Sequence, residues 1–312
     1  MGLFDFLRAS FGAMPTALTL IATLAVVFVN GWTDAPNAIA SCVSTGCLSM
    51  RKAVILASIS NFAGASLMRG IGAKVSETVI NMADFGSDPS LALAALCAGM
   101  SAVVVWATAA WTFGIPTSES HALLAINKVL LGLLFSSAVG FVCGYGTSKA
   151  TVAAFSGIER DKSEGFFKIS QIASSAVMAF MHGAQDTQKF AGVLTLEMLV
   201  FPVCAVIMSL GTALGGGRII KTVGIDMIKM QTYQGFAADV AGGFCLFLST
   251  VFGFPVSTTH TKTTAVMGVG AAKSLRSVDW SVAGDMAAAW IFTFPGCGIL
   301  GWLISCIYLR VF

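Results

Sequence analysis

Two aspartates stand at the ends of apolar runs, one in each half of the chain. The first lies in the segment Asn30–Asn37, NGWTDAPN, and the second lies in the segment His182–Lys189, HGAQDTQK. Each has a glycine three residues before it, so Asp34 and Asp186 occupy equivalent positions. An ionisable group in apolar surroundings is costly, which makes both aspartates candidates for function.

The residues around these aspartates predict oxygen ligands for a cation. Gly31 and Pro36 in one segment, and Gly183 in the other, are expected to break the helix and free backbone carbonyls, which is tolerated where they line a cavity. Carboxylate, carbonyl and amide oxygens suit a hard cation such as Na⁺. The predicted coupling-cation residues are Asn30, Thr33, Asp34, Asn37, Gln185 and Asp186. The alternative is that each aspartate caps a helix end. His182 lies one turn before Asp186, but the sequence identifies no third ligand for a metal site.

A second pair of matched segments carries hydroxyls. Gly114–His121, GIPTSESH, and Gly253–His260, GFPVSTTH, each place a proline before a run of Ser and Thr. Proline favours a helix start, and a helix N-terminus with several hydroxyl donors can bind an anion. Two such turns meeting from opposite halves would suit a tetrahedral oxyanion, with candidate ligands Thr117, Ser118, Ser120, Ser257, Thr258 and Thr259. The alternative is that these hydroxyls cap helices locally.

Four further polar residues belong to these segments. His121 and His260 follow the hydroxyls at the same spacing, and a packing role is favoured over a proton-linked one. Glu119 and Lys189 have opposite charge, and each occurs in one half only. Because an unpaired charge within the membrane is costly, we expect these two residues to approach each other or to share ions.

Composition places most of this chain in lipid. Of 312 residues, 56% are hydrophobic and 11% are charged, and the net charge is +3. A soluble domain carries about 25% charged residues, and no basic run indicates a nucleic-acid partner. The eight cysteines lack metal-ligand spacing and are interpreted as core residues. Eight regions are long enough to cross or nearly cross a bilayer: 13–33, 53–68, 91–113, 129–147, 169–185, 193–216, 240–258 and 285–309.

The paired segments predict a duplicated, all-α polytopic membrane protein. We expect a first transmembrane repeat over 1–148, a charged linker over 149–168 and a second repeat over 169–312. Duplicated halves with broken hydrophobic segments indicate inverted repeats with broken helices, two re-entrant hairpins and a transport site at the repeat interface. Abundant small residues permit close helix packing, either within one chain or between two copies in a homodimer.

The segments resemble the two signatures of the inorganic phosphate transporter (PiT) family. His182–Lys189 is similar to its Gly-Ala-Asn-Asp signature in the bacterial form, and Pro255–His260 is similar to its second signature. Thr33 and Gln185 depart from it, because they stand where Asn precedes Asp. The resemblance implies phosphate near the hairpin tips, cations near the aspartates, coupling to Na⁺ or H⁺, and no further cofactor. It also implies a multi-pass protein of a bacterial or archaeal cell membrane.

Membrane energetics make a coupling cation necessary for phosphate uptake. At an interior potential of about −100 mV, moving a phosphate dianion inward costs about 4.6 kcal/mol. A sulfate permease of the same fold is the main alternative. Asp34, Asp186 and Glu119 could accept the proton that distinguishes hydrogen phosphate from sulfate. An intramembrane hydrolase using Ser, His and Asp is disfavoured, since the Ser and His occur twice, and so is an anion channel.

Overall fold

The computed structural model describes residues 11–67, 74–80, 88–116, 126–193 and 197–310, and the regular structure in these ranges is helical. Twelve α-helices are numbered here in chain order: α1 Met14–Thr33, α2 Ala40–Ser44, α3 Met50–Leu67, α4 Lys74–Ile80, α5 Pro89–Thr112, α6 Ile126–Phe155, α7 Arg160–Val193, α8 Glu197–Leu214, α9 Gly217–Lys221, α10 Thr232–Phe252, α11 Thr258–Lys273 and α12 Trp280–Tyr308.

The first aspartate motif lies at a helix break, as predicted. Helix α1 ends at Thr33, and a 3₁₀ segment over Ala35–Ile39 connects it to α2. Pro36 lies in the first turn of that segment, where its missing N–H has no intrahelical partner to lose. The break leaves Asp34 between two helical segments, with its side chain buried.

The second aspartate motif lies within an unbroken helix, so the break predicted at Gly183 is wrong. Helix α7 runs from Arg160 to Val193 and carries Asp186 in its interior. A glycine without a proline costs a helix only about 1 kcal/mol relative to alanine. Here the missing Cβ also lets α7 approach α3, because a Cβ at Gly183 would collide with the Asn61 carbonyl oxygen.

The second hydroxyl segment forms a turn followed by a helix N-terminus. Helix α10 ends at Phe252, and Gly253 follows with a left-handed φ of 76°. Ser257 caps α11, accepting a hydrogen bond from the backbone N–H of His260 at 3.1 Å. The predicted helix start is confirmed, although the helix begins three residues after Pro255. In the first half, 117–125 lie outside the described residues.

Reciprocal glycines set the helix pairs that surround the motifs. Gly31 of α1 lies against the Met208 carbonyl of α8, and Gly211 of α8 lies against the Phe28 carbonyl of α1. Helices α3 and α7 repeat this arrangement through Gly64 and Gly183. Backbones approach this closely only where small residues form the contact, as in many membrane proteins. The packing fixes α1 and α7 beside each other at the level of the two aspartates.

Polar groups face inward and many large apolar groups face outward. Four helical segments are long and apolar enough to cross a membrane, and the bent pair Phe201–Leu214 and Gly217–Asp226 passes the same test together, within the part of the chain that the structure describes. On α12, Ile291, Trp302 and Ile307 are all more than 60% exposed. Such a distribution is typical of a surface that contacts lipid.

The segment predicted as a charged linker is mainly helical. Helix α6 continues to Phe155 and α7 begins at Arg160, so only 156–159 lie between them. The division of the chain into two repeats over 1–148 and 169–312 stays a prediction.

Candidate functional site

The two aspartates lie side by side, although 152 positions separate them in the sequence. Thr258 Oγ1 lies 3.1 Å from Asp34 Oδ2 and 3.3 Å from Asp186 Oδ2. Asn30 Nδ2 also reaches both of these carboxylate oxygens, at 3.5 and 3.0 Å. Each aspartate is 1% exposed. Helices α1, α7 and α11 therefore bring one carboxylate from each motif to the same buried place.

The other oxygen of each carboxylate has a different type of partner. Asp34 Oδ1 accepts from Asn37 Nδ2 at 3.0 Å and from the Thr259 hydroxyl. Asp186 Oδ1 accepts from the ammonium of Lys189 at 2.6 Å. The carboxylate of Asp34 thus has neutral donors, whereas that of Asp186 has a cation beside it.

The imidazole of His182 joins this group. Its Nε2 lies 3.4 Å from Asp186 Oδ2, and its Nδ1 lies 3.2 Å from Asn61 Oδ1 on α3. One ligand atom from each of Asp34, His182 and Asp186 lies within 4.8 Å of the others. The third member that the sequence did not identify is thus Asp34, from the first half. This oxygen-rich donor set could hold a cation.

Two side chains of α7 hold the loop before α11. Gln185 Nε2 donates to the Phe254 carbonyl at 3.0 Å, and Lys189 Nζ donates to the Val256 carbonyl at 2.6 Å. The two residues are one helical turn apart and bind alternate carbonyls. This anchors the helix N-terminus at Ser257 beside the aspartates.

Several buried polar atoms near the aspartates have no hydrogen-bond partner among the described residues. They are Asn37 Oδ1, Gln185 Oε1 and both side-chain polar atoms of Gln188. Leaving such a group unsatisfied costs about 1–3 kcal/mol. Unpaired acceptors and donors around buried carboxylates are typical of a place where ions or a polar substrate bind.

The remaining predicted residues lie apart from the carboxylates or outside the described ranges. Thr33 donates to the Val29 carbonyl of its own helix at 2.8 Å. His260 packs on Trp290 with ring centroids 3.6 Å apart, and the indole N–H of Trp290 lies 3.3 Å from the Pro116 carbonyl. Outside the described residues lie Thr117, Ser118, Glu119, Ser120 and His121, so the pairing of Glu119 with Lys189 stays a prediction.

A second buried charged cluster was missed by the sequence analysis. Asp239 forms an ion pair with Lys262 and accepts hydrogen bonds from the hydroxyls of Ser41 and Ser175. All four residues are at most 1% exposed. Asp239 offered the same signal as Asp34, a carboxylate at the edge of an apolar run. It went unnoticed because it belongs to neither pair of matched segments.

Comparison with known proteins then identifies the family. The model of the phosphate transporter family matches residues 30–155 and 128–301, and the two matches together include both aspartate motifs and both hydroxyl segments. The chain belongs to the phosphate transporter family. Membership confirms the predicted family resemblance and the prediction that the chain is a membrane transporter and not an enzyme.

Individual relatives agree over nearly the whole chain. A Bacillus subtilis (strain 168) protein named a probable low-affinity inorganic phosphate transporter is 32% identical over 92% of this chain and 95% of its own. A Rhizobium meliloti (strain 1021) protein of the same name is 32% identical with the same coverage. A solved structure entitled the sodium-dependent phosphate transporter matches with a TM-score of 0.79 at 20% identity, covering 96% of this chain and 100% of that one. At that identity the match concerns the fold.

Proposed function

We propose that this chain is a multi-pass symporter that carries inorganic phosphate across the membrane together with a cation, Na⁺ or H⁺. The observation that carries the proposal is the meeting of Asp34 and Asp186 at Thr258, the first residue of α11. A pair of acidic groups and a helix N-terminus lie in direct contact there. The relatives named as phosphate transporters support phosphate as the substrate.

The acidic side of this site suits the cation. Asp34 and Asp186 supply carboxylate oxygens, while Asn37 Oδ1 and Gln185 Oε1 are buried acceptors without a hydrogen-bond partner among the described residues. Hard monovalent cations favour such oxygen ligands. Na⁺ is the first ion to test, since the related fold belongs to a protein described as sodium-dependent.

The helix N-terminus suits the anion. The first turn of α11 presents backbone amides, and the Ser257 hydroxyl, which accepts from the His260 amide, keeps its own proton for a ligand. Amides at a helix start favour negative charge. With the first-half segment, the proposed phosphate ligands are Thr117, Ser118, Ser120, Ser257, Thr258 and Thr259.

Proximity of the two sites explains why phosphate and cation would move together. A dianion beside two carboxylates is repelled, and opposite or like unit charges at 4 Å interact by about 4 kcal/mol at an effective dielectric constant of 20. A cation bound at the aspartates offsets that repulsion, so each ligand strengthens binding of the other. Thr258 and Thr259 contribute hydroxyls to the carboxylates and belong to the helix N-terminus as well, which links the two sites. Rocking of one repeat against the other would then expose the loaded site to each side in turn.

Uptake of radiolabelled phosphate into proteoliposomes tests the proposal. We expect uptake to require an imposed Na⁺ or H⁺ gradient and to resist excess sulfate. Asp34→Asn and Asp186→Asn should each abolish gradient-driven uptake, because each removes a charged oxygen from the shared cation site. Gradient-driven sulfate uptake would replace phosphate by sulfate, and gradient-independent flux of either anion would refute symport.

A further inference from the structure

Equivalent positions in the two motifs carry different residues against equivalent carboxylate oxygens. Asn37 lies three residues after Asp34 and donates to its Oδ1 at 3.0 Å. Lys189 lies three residues after Asp186 and donates to its Oδ1 at 2.6 Å. The duplication thus places a neutral amide in one half where the other half has an ammonium.

The ammonium of Lys189 lies where an oxygen-bound cation could lie. Its side chain is 1% exposed, and its contacts include the Asp186 carboxylate and the Val256 carbonyl, both at 2.6 Å. A carboxylate and a backbone carbonyl are also typical ligands of an alkali cation. The side chain fixes this positive charge to α7, so it stays with the protein during transport.

Formal charges among the described residues leave the site short of one positive charge. With the imidazole of His182 neutral, Asp34 and Asp186 contribute two negative charges and Lys189 contributes one positive charge. The other buried ion pair, Asp239 with Lys262, is neutral as a unit. The uncompensated charge therefore lies at Asp34, whose printed partners are all neutral.

We propose that Lys189 is a tethered cation that fills one of two cation positions. The chain then carries one fewer mobile cation per phosphate than it would with a neutral residue at position 189, and the mobile cation binds beside Asp34. This inference rests on the proposed symport. It assigns Lys189 the role of setting coupling stoichiometry, because the ammonium satisfies Asp186 without being transported.

A holding role for the lysine would leave the stoichiometry unchanged. Lys189 also contacts the loop before α11 through Val256, so its loss could lower transport rate simply by loosening that loop. Rate alone would not separate the two roles. The number of charges moved per phosphate does, because packing has no effect on it.

The experiment measures the charge moved per phosphate from reversal potentials in proteoliposomes, using the cation that drives wild-type uptake. Lys189→Met should raise this ratio by one charge per phosphate, since a second mobile cation enters the vacated position. Lys189→Arg retains the tethered charge and should keep the wild-type ratio. The double variant Asp186→Asn/Lys189→Met retains the net charge of the site and should also keep the wild-type ratio.

An equilibrium measurement decides the case where the methionine variant folds but does not transport. The slope of apparent melting temperature against the logarithm of Na⁺ concentration reports the number of ions bound. We expect Lys189→Met to bind one more Na⁺ than wild type, and Lys189→Gln serves in its place if it does not fold. An unchanged ratio and an unchanged slope in neutral variants would refute the tethered cation and leave symport standing. Absence of cation-driven uptake by wild type would instead refute the proposed function.

Discussion

Thr258 is the residue through which the two halves of the site meet. Its hydroxyl lies within 3.3 Å of one oxygen of each aspartate, and its position at the start of α11 places its backbone at the candidate anion site. Sequence reasoning assigned Thr258 to phosphate alone. The structure assigns its side chain to the carboxylates, so its substitution should be felt first by the cation.

Thr258→Val tests this role, since valine keeps the shape of threonine and removes the hydroxyl. Losing a polar contact to a charged group costs about 1.5–3 kcal/mol. We therefore expect the cation concentration for half-maximal phosphate uptake to rise about ten- to hundredfold. Thr258→Ser retains the hydroxyl and should stay within about threefold of wild type. Equal effects of Val and Ser would show that the methyl group, and not the hydroxyl, matters.

At the scale of elements, close helix contacts hold the residues of the site in register. Helices α3 and α7 meet at Gly64 and Gly183, and the contact brings Asn61 to the imidazole of His182. The continuous helix α7 then carries His182, Gln185 and Lys189 along one side, facing the loop before α11. A straight helix can thus serve the second aspartate, whereas the first requires a break.

Gly183→Ala should destabilise the protein by about 1–3 kcal/mol, because the added methyl group collides with the Asn61 backbone. Thermal unfolding in detergent measures this change. Gly165→Ala is the matched control in the same helix, where no atom lies within 4 Å of the added Cβ. The control should be neutral or slightly stabilising, since alanine favours a helix over glycine. Equal melting temperatures of the two variants would contradict the close contact.

The Asp239–Lys262 pair connects α10 and α11 to α2 and α7 through Ser41 and Ser175. Lys262 lies one turn beyond Thr258, so the pair fixes the helix that carries the site. Removing one partner of a buried ion pair costs about 3–5 kcal/mol, because the other charge is left uncompensated.

Lys262→Met should therefore lower the free energy of unfolding by about 3–5 kcal/mol, and the double variant Asp239→Leu/Lys262→Met should recover most of it. Denaturant or thermal unfolding of wild type, both single variants and the double variant gives the coupling between the two residues. Additive losses in the double variant would mean that the ion pair does not act as a unit.

At the scale of the whole molecule, the distribution of polar and apolar groups is the reverse of that in a soluble protein. The buried interior holds Asp34, Asp186, Asp239, Lys189 and Lys262, while the surface of α12 carries large apolar side chains. A bilayer accounts for both facts, since it solvates the apolar exterior and offers charged groups no alternative to one another.

Ile291→Arg tests the lipid-facing surface of α12, where Ile291 is 68% exposed. A charge near the middle of a membrane helix costs about 2.5–3.5 kcal/mol, so we expect a large loss of membrane-inserted, folded protein. Ile158→Arg is the matched control, because Ile158 is 48% exposed in the connection between α6 and α7. That variant should insert as well as wild type. Normal insertion of the first variant would place its side chain in water.

The sequence alone determined the membrane class, the family, and the two kinds of motif with their chemistry. These features depend on composition and on neighbours along the chain: Pro36 breaks a helix because of its own ring, and Ser257 caps one because of its own hydroxyl. Local chemistry was also sufficient to select Asp34 and Asp186 as functional residues.

Only the tertiary structure decided which motif meets which. Gly183 was expected to break a helix, yet it serves a helix contact, and that distinction depends on α3 lying against it. The approach of Asp34 to His182 and Asp186, and the pairing of Asp239 with Lys262, join residues far apart in sequence. Such contacts are set by the packing of several helices at once, and no local pattern of residue types encodes them.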